Sequence, residues 1–293
     1  MKNENEFLMK RRNCSIFAYL TFLFILLTFL ASGCAAFRVS RLKTIKVEGK
    51  RVRADEIKIE EAATSLPVGE RLTYNVSWIG VTMGQVTSTI EGIQEINGRK
   101  AYRIELVAKT NKLCSIIYPV NSKYISYMDV EDLVTLRHEV SRREGRFKKD
   151  AITDFDQENH QAYFINLLDK SEKSFSIPFQ VQDTLTAVYY FRTVNADVDE
   201  KINYEVVSSE KVYSLYGLIE KKEFIRLRGL GTFESFLVLP YAKLGEDEFK
   251  RARLCGYFST DPSRIPLVGI VKGPIFTKVT VSLSKIENIY KDE

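Results

Sequence analysis

The sequence predicts a mostly all-β protein: a large curved antiparallel sheet or half-open barrel with one helix packed across it. Three observations carry this. Apolar and polar residues alternate with period two from Leu72 onward. Turn residues recur at short intervals along the rest of the chain, and Asn97-Gly98 is the strongest of these signals. One segment, 183–192, has convincing helical spacing. The composition agrees, with 15 Tyr and 18 Phe against one Trp and four Met, since aromatic residues favour strands.

Taken in order, Leu72, Tyr74, Val76 and Trp78 alternate with Arg71, Thr73, Asn75 and Ser77. That is a half-buried first strand, which Gly80 ends. A second strand carries Val86, Ser88 and Ile90 and runs to Asn97-Gly98, whose two residues accept the positive φ of a type I′ turn. Valine is therefore expected to be tolerated worse at Gly98 than at Gly92. A third strand returns over 102–108. Residues 111–118 form a short helix or a loop that stops at Pro119. Strands 133–143 and 146–155 flank Glu144-Gly145, and 162–167 follows the polar turn 157–160. Asp183 is read as a helix N-cap, with Leu185, Val188, Tyr189 and Arg192 following at helical spacing. The remaining strands are read over 203–208, 211–215, 224–227, 232–239, 253–259, 267–272 and 275–289. No linker, repeat or low-complexity tract divides them, so residues 65–293 are expected to form a single β-rich domain.

Ahead of that domain, Lys10-Arg11-Arg12 precedes an uncharged apolar run over 16–30, which stops at Ala31-Ser32-Gly33-Cys34. A basic head, a short apolar stretch and a small-residue exit describe an export signal, and the run is shorter than a bilayer span. The exit resembles the lipobox of bacterial lipoproteins, with Ala31 where Leu is usual. The resemblance implies a signal peptide over 1–33 and lipid attachment at Cys34, whose thiol is acylated and which becomes the first residue. An uncleaved anchor helix and a signal cut without lipidation are the alternatives. Ala35 in place of Asp implies, by resemblance to Gram-negative sorting, an outer-membrane lipoprotein facing the periplasm. Residues 34–64 read as a tether, basic from Arg38 to Arg53 and then acidic at Glu56, Glu60 and Glu61. Its cations either lie on anionic headgroups or are simply solvated.

The formal charge is +5, and four Lys/Arg and two acids fall in the first 34 residues, leaving about +3 beyond them. So mild an excess argues against nucleic acid as a partner. Past Cys34 the cysteines are Cys114 and Cys255, which export leaves free to pair or to remain thiols.

No metal or cofactor is expected: there is no CxxC, phosphate loop, dinucleotide fingerprint or Gly-x-Ser-x-Gly. His138 and His160 fall on different strands, without further ligands at metal spacing. Asp154 and Asp156 share a strand face and read as solvated acids rather than a catalytic pair. Asp183, Arg192, Asp261 and Arg264 read either as a charged mouth or as a helix cap plus an ion pair tying the final turn to the helix. The run 142–149 reads as a solvated basic hairpin tip or as a contact for headgroups or an acidic partner. Trp78, Tyr118, Tyr189, Tyr190 and Phe191 are the candidates to line an apolar ligand cavity, against the reading that they simply pack a core.

Three separated motifs carry a family resemblance. They are Pro67-Val-Gly69-Glu70-Arg-Leu72-Thr-Tyr74-Asn-Val-Ser-Trp78-Ile-Gly80, then Asp183-Thr-Leu-Thr-Ala-Val-Tyr189-Tyr190-Phe191-Arg192, then Tyr257-Phe-Ser259-Thr-Asp261-Pro-Ser-Arg264-Ile-Pro266. In this order they resemble the bacterial exported proteins of domain-of-unknown-function family 3108, which often has Trp where this chain has Tyr257. The resemblance implies an all-β exported domain, similar to the half-barrels that ferry lipids, and no reaction.

The expectation is therefore a non-enzymatic, membrane-anchored envelope lipoprotein whose curved sheet binds an apolar small molecule or lipid. The alternatives are an envelope interaction protein with a filled core and a protein-binding surface, and an uncharacterised hydrolase.

Overall fold

The computed structural model describes residues 65–244, 247–248, 254–272 and 278–290. The expected signal peptide 1–33, Cys34 and the tether 34–64 lie outside them. In chain order the strands begin with β1 (Glu70–Trp78), β2 (Val81–Ile96) and β3 (Arg99–Thr110), followed by helix α1 (Lys112–Ile117). Next come β4 (Asn121–Asp129), β5 (Thr135–Glu144), β6 (Phe147–Asp156), β7 (Gln161–Asn166), β8 (Glu172–Ser176) and β9 (Gln182–Asp183). Helix α2 (Thr186–Thr193) precedes β10 (Lys201–Ser208), β11 (Lys211–Leu227), β12 (Gly231–Leu244) and β13 (Asp247–Glu248). The chain closes with β14 (Leu254–Ser259), β15 (Pro266–Lys272) and β16 (Lys278–Asn288).

All of these strands join one sheet, and every pairing is antiparallel except β9 with β10. The first eight strands meander outward from β1. On the other side of β1 stands β16, followed by β15, β14, β12, β11, β10 and β9, with β13 paired to β12. The first and last strands are thus central neighbours, Glu70 opposite Asn288 and Trp78 opposite Val279. The end strands β8 and β9 do not pair with each other. Side chains close that gap: Phe155 and Ala162 pack with Ile177, Val181 and Val207. The buried Gln157 amide donates to the carbonyls of Thr135 at 2.6 Å and Val181 at 3.1 Å. A curled sheet shut by side chains rather than by a ladder is a half-open barrel, and the predicted class holds.

Turn chemistry explains several hairpins. Asn97 (φ 52°) and Gly98 (φ 80°) make the two-residue β2–β3 turn as expected. Ser209 and Glu210, also at positive φ (49° and 61°), make the β10–β11 turn without glycine. Four expectations need correction. Gly92 is no ordinary strand glycine: it sits where the β2–β3 register shifts, at φ 154°, so a side chain is strained there too. The segments 211–215 and 224–227 belong to one 17-residue strand, β11. His160 lies in the β6–β7 turn at φ 56° rather than on a strand. The run 142–149 is not merely a solvated tip. Arg142 is buried against Glu144, with Nη2–Oε2 at 2.5 Å, while Arg143 pairs with Asp150 at 2.7 Å. Cys114 and Cys255 are both free thiols.

Candidate functional site

Helix α2 organises the interior. Asp183 does not cap it in the expected way, because the cap position is Leu185. The carboxylate acts from two residues earlier, accepting from the backbone N–H of Leu185 at 2.6 Å and of Thr186 at 3.2 Å. These are donors that a helix start leaves orphaned. Ser126 and Thr135 hydroxyls also donate to it, from β4 and β5. At the other end, Arg192 is almost fully buried and pairs with Glu70 of β1, Nη1–Oε1 at 2.5 Å and Nη2–Oε2 at 2.9 Å. Its Nε donates to the Ser263 carbonyl at 3.0 Å. Burial opposes the charge on Arg192, but the hydrogen bond and the field of Glu70 outweigh it and hold the pKa above the ordinary arginine value. The expected ion pair therefore joins the helix to β1, not to Asp261. Asp261 binds Ser263 within its own turn, and Arg264 donates to the Ala196 carbonyl.

Between α2 and the half of the sheet formed by β10–β12 and β14–β16 lies an apolar cavity of about 110 Å³. That is the order of volume that admits a benzene-sized group. Val188 and Phe191 of the helix face Leu215, Leu254, Val271 and Val281 across it. Three tyrosines, Tyr74, Tyr204 and Tyr257, line the cavity as well. Tyr74 donates to the Pro266 carbonyl at 2.9 Å and Tyr204 to the Ala187 carbonyl at 3.0 Å. Burial, reinforced by the charge of Glu223, pushes the Tyr257 hydroxyl well above the usual range. The lining is thus mostly apolar although three of its residues are tyrosines, which present an apolar ring and a polar tip. Gly217 also lines the space; a Cβ there would meet Val238 Cγ1 at an ordinary 3.6 Å.

Of the five aromatic candidates, only Phe191 lines the cavity, packed on Phe258 with ring centroids 4.4 Å apart. Tyr189 turns into the main core, where its hydroxyl meets Ser88 at 2.7 Å and burial pushes its pKa up to about 12. Tyr190 packs edge-to-face on Tyr204, behind the wall. Trp78 is exposed at the end of β1, and Tyr118 caps α1 against Gly145. Neither reaches the cavity. Sequence reasoning missed Tyr74, Tyr204 and Tyr257 as lining, although Tyr74 and Tyr257 stand inside the family-like motifs.

A second cavity of about 80 Å³, lined by charged as well as apolar side chains, is bordered by Thr184 too. It holds His138, Arg142, Lys149, Asp183 and Glu210. Ser126 Oγ is 2.9 Å from His138 Nδ1 and 3.0 Å from Asp183 Oδ1. Burial lowers the pKa of His138, against the field of Asp183, and that of Lys149, against Glu210. In a nucleophilic triad the hydroxyl faces Nε2 and the carboxylate faces Nδ1. Here Ser126 and Asp183 share the Nδ1 side, and Ser126 is fully buried. Elsewhere Asp154 pairs with Arg137, and Asp156 holds the turn at Asn159. Among the described residues no group of three or more His, Cys, Asp or Glu side chains is placed to share a metal ion.

The family described as "Protein of unknown function (DUF3108)" matches residues 73–272. No curated protein matches the chain. Among solved structures, a β-barrel-like protein of domain-of-unknown-function family 1849 from Brucella abortus has TM-score 0.50 at 8% identity, covering 75% of this chain and 97% of its own. It shares the fold. A candidate lipoprotein from Parabacteroides distasonis has TM-score 0.35 at 8% identity, covering 78% of this chain and 100% of its own. A candidate exported protein with YmcC-like fold from Bacteroides fragilis has TM-score 0.29 at 11% identity, covering 76% and 97%.

Proposed function

The chain belongs to the DUF3108 family of proteins of unknown function, and we propose that it is an exported, non-enzymatic envelope lipoprotein that takes the apolar part of a small molecule or lipid between α2 and the sheet. The observation that carries this is the cavity beside Val188 and Phe191, walled by aliphatic side chains and by tyrosine rings whose hydroxyls are already satisfied. A site lined almost wholly by apolar groups selects by shape and hydrophobicity. Its volume suits the end of an acyl chain or a compact apolar group. The non-enzymatic reading is supported by the burial of Ser126 and by the shared Nδ1 side of His138. Membrane anchorage through acylated Cys34, at the outer membrane and facing the periplasm, is supported by the apolar run 16–30 and the small-residue exit before that cysteine.

Titrating the full chain, stripped of copurifying lipid, with a fluorescent fatty acid tests the cavity. We expect saturable binding, weakened at least tenfold by Val188→Trp with the circular dichroism unchanged. Absence of saturation up to the probe's solubility limit would turn the reading to an envelope interaction protein. Cys34→Ala tests the anchor: it should abolish incorporation of a fatty-acid analogue and release the protein from membranes, and equal labelling of both forms would remove the anchor from the proposal.

A further inference from the structure

The end of the barrel that carries the cavity's aliphatic wall also carries an apolar tip. The β1–β2 hairpin turns through Ile79 and Gly80, and Trp78, Ile79 and Val81 around it are 46%, 64% and 63% exposed. Helix α1 is tied to this hairpin. The Asn111 backbone N–H donates to the Met83 carbonyl at 2.9 Å and its side-chain amide to the Thr82 carbonyl at 2.8 Å. Cys114 Sγ rests 3.6 Å from Met83 Sδ. Leu113, Ile116 and Ile117, at the i, i+3 and i+4 positions of one helix face, are 78%, 81% and 88% exposed. Isolated exposed apolar residues are ordinary, but six large ones gathered from two bonded segments mark a contact surface.

Charge and residue type say what that surface meets. The segments 72–90, 106–122, 266–272 and 278–284 hold Lys109, Lys112, Lys272 and Lys278 and no acid. An apolar tip collared by lysines, with a tryptophan at its base, suits the boundary between acyl chains and anionic headgroups: the aliphatic side chains enter, the indole sits at headgroup level, and the ammonium groups meet phosphate. The position also matters. Leu254, Val271, Val279 and Trp78 stand in one register row across β14, β15, β16 and β1, so the cavity wall and the tip share an edge of the sheet. We propose that this end of the barrel, the β1–β2 turn with α1, docks directly onto an anionic phospholipid bilayer, setting the cavity wall at the membrane surface. A tether from residue 34 to 64 reaches about 100 Å when extended, three times the ~30 Å length of a nine-residue strand, so it leaves either end of the barrel free to face the bilayer.

Trp78 is the only tryptophan in the chain, so its fluorescence reports the tip alone. The full chain is reconstituted with phosphatidylglycerol–phosphatidylcholine vesicles. The expected result is a blue-shifted emission maximum, loss of quenching by aqueous iodide, and strong quenching by lipids with brominated chains. Ile116→Ser combined with Ile117→Ser, at unchanged circular dichroism, should reverse all three. Persistent iodide quenching without quenching by brominated lipid would overturn the proposal. So would protection from iodide without quenching by brominated lipid, which would put a protein, a second copy included, on the tip. Equal quenching by brominated lipid in purely zwitterionic vesicles would overturn the assignment to anionic lipid. The readout does not depend on cavity occupancy, so this docking and the fatty-acid binding above can fail separately.

Discussion

Arg192 and Glu70 illustrate how one pair of side chains can hold the interior in place. A buried guanidinium is costly to desolvate, and the pair recovers that cost through two parallel hydrogen bonds and through the Ser263 carbonyl at the third nitrogen. The three partners belong to α2, to β1 and to the turn before β15, elements far apart in sequence. Removing one partner leaves the other charged and buried. Glu70→Ala should therefore destabilise by about 3–5 kcal/mol in urea unfolding. The joint replacement of Glu70→Met and Arg192→Met should cost less than Glu70→Ala alone, because no orphan charge remains. Additive costs in that cycle would mean that the two residues are not energetically coupled. The pairing was half legible in the sequence. Arg192 stood out on a helix, but its acid lies 122 positions away on β1, whereas the motif reading tied the helix to the final turn.

At the scale of elements, the β2–β3 turn gives the sharpest prediction. Asn97 and Gly98 both occupy the left-handed region, and nothing lies within 4 Å of a Cβ built on Gly98. The cost of a side chain there is backbone strain, not a clash. Gly98→Val should lower stability by about 1–3 kcal/mol, while Gly217→Ala, where φ is ordinary and contacts are loose, should be nearly neutral. Equal melting temperatures would show that the turn relaxes to another type. Turns and period-two strands were readable because their chemistry is local. The unity of β11 was not: its register shifts between Ile219 and Lys221, and Glu220-Lys221-Lys222-Glu223 interrupts the apolar alternation at that point. The cavity lining was only partly readable for a similar reason. Consecutive helix residues point about 100° apart, so Tyr189, Tyr190 and Phe191 had to face three directions, and only Phe191 faces the cavity. The remaining wall is assembled from strands whose pairing across the fold no local pattern announces.

At the scale of the whole molecule, β16 is the decisive strand. It pairs with β1 on one side and β15 on the other, so it joins the outward meander of β2–β8 to the half that builds the cavity. Pairing Glu70 with Asn288 closes nearly the full length of the described chain, a non-local contact that slows folding but couples both halves once made. Leu283 lies on this seam, 2% exposed and in register with Tyr74 of β1. Leu283→Ala should cost about 2–5 kcal/mol through lost burial and the cavity it leaves. If the seam couples the halves, hydrogen exchange in the variant should accelerate in β2–β4 and in β14–β15 alike, because both lose protection through one cooperative opening. Phe175→Ala on the end strand β8, which has a single ladder partner, should instead accelerate exchange only around β7 and β8. Exchange that rises in β14–β16 of the Leu283 variant but not in β2–β4 would show two separate folding units sharing a sheet. The cavity could then open without disturbing the meander that carries α1.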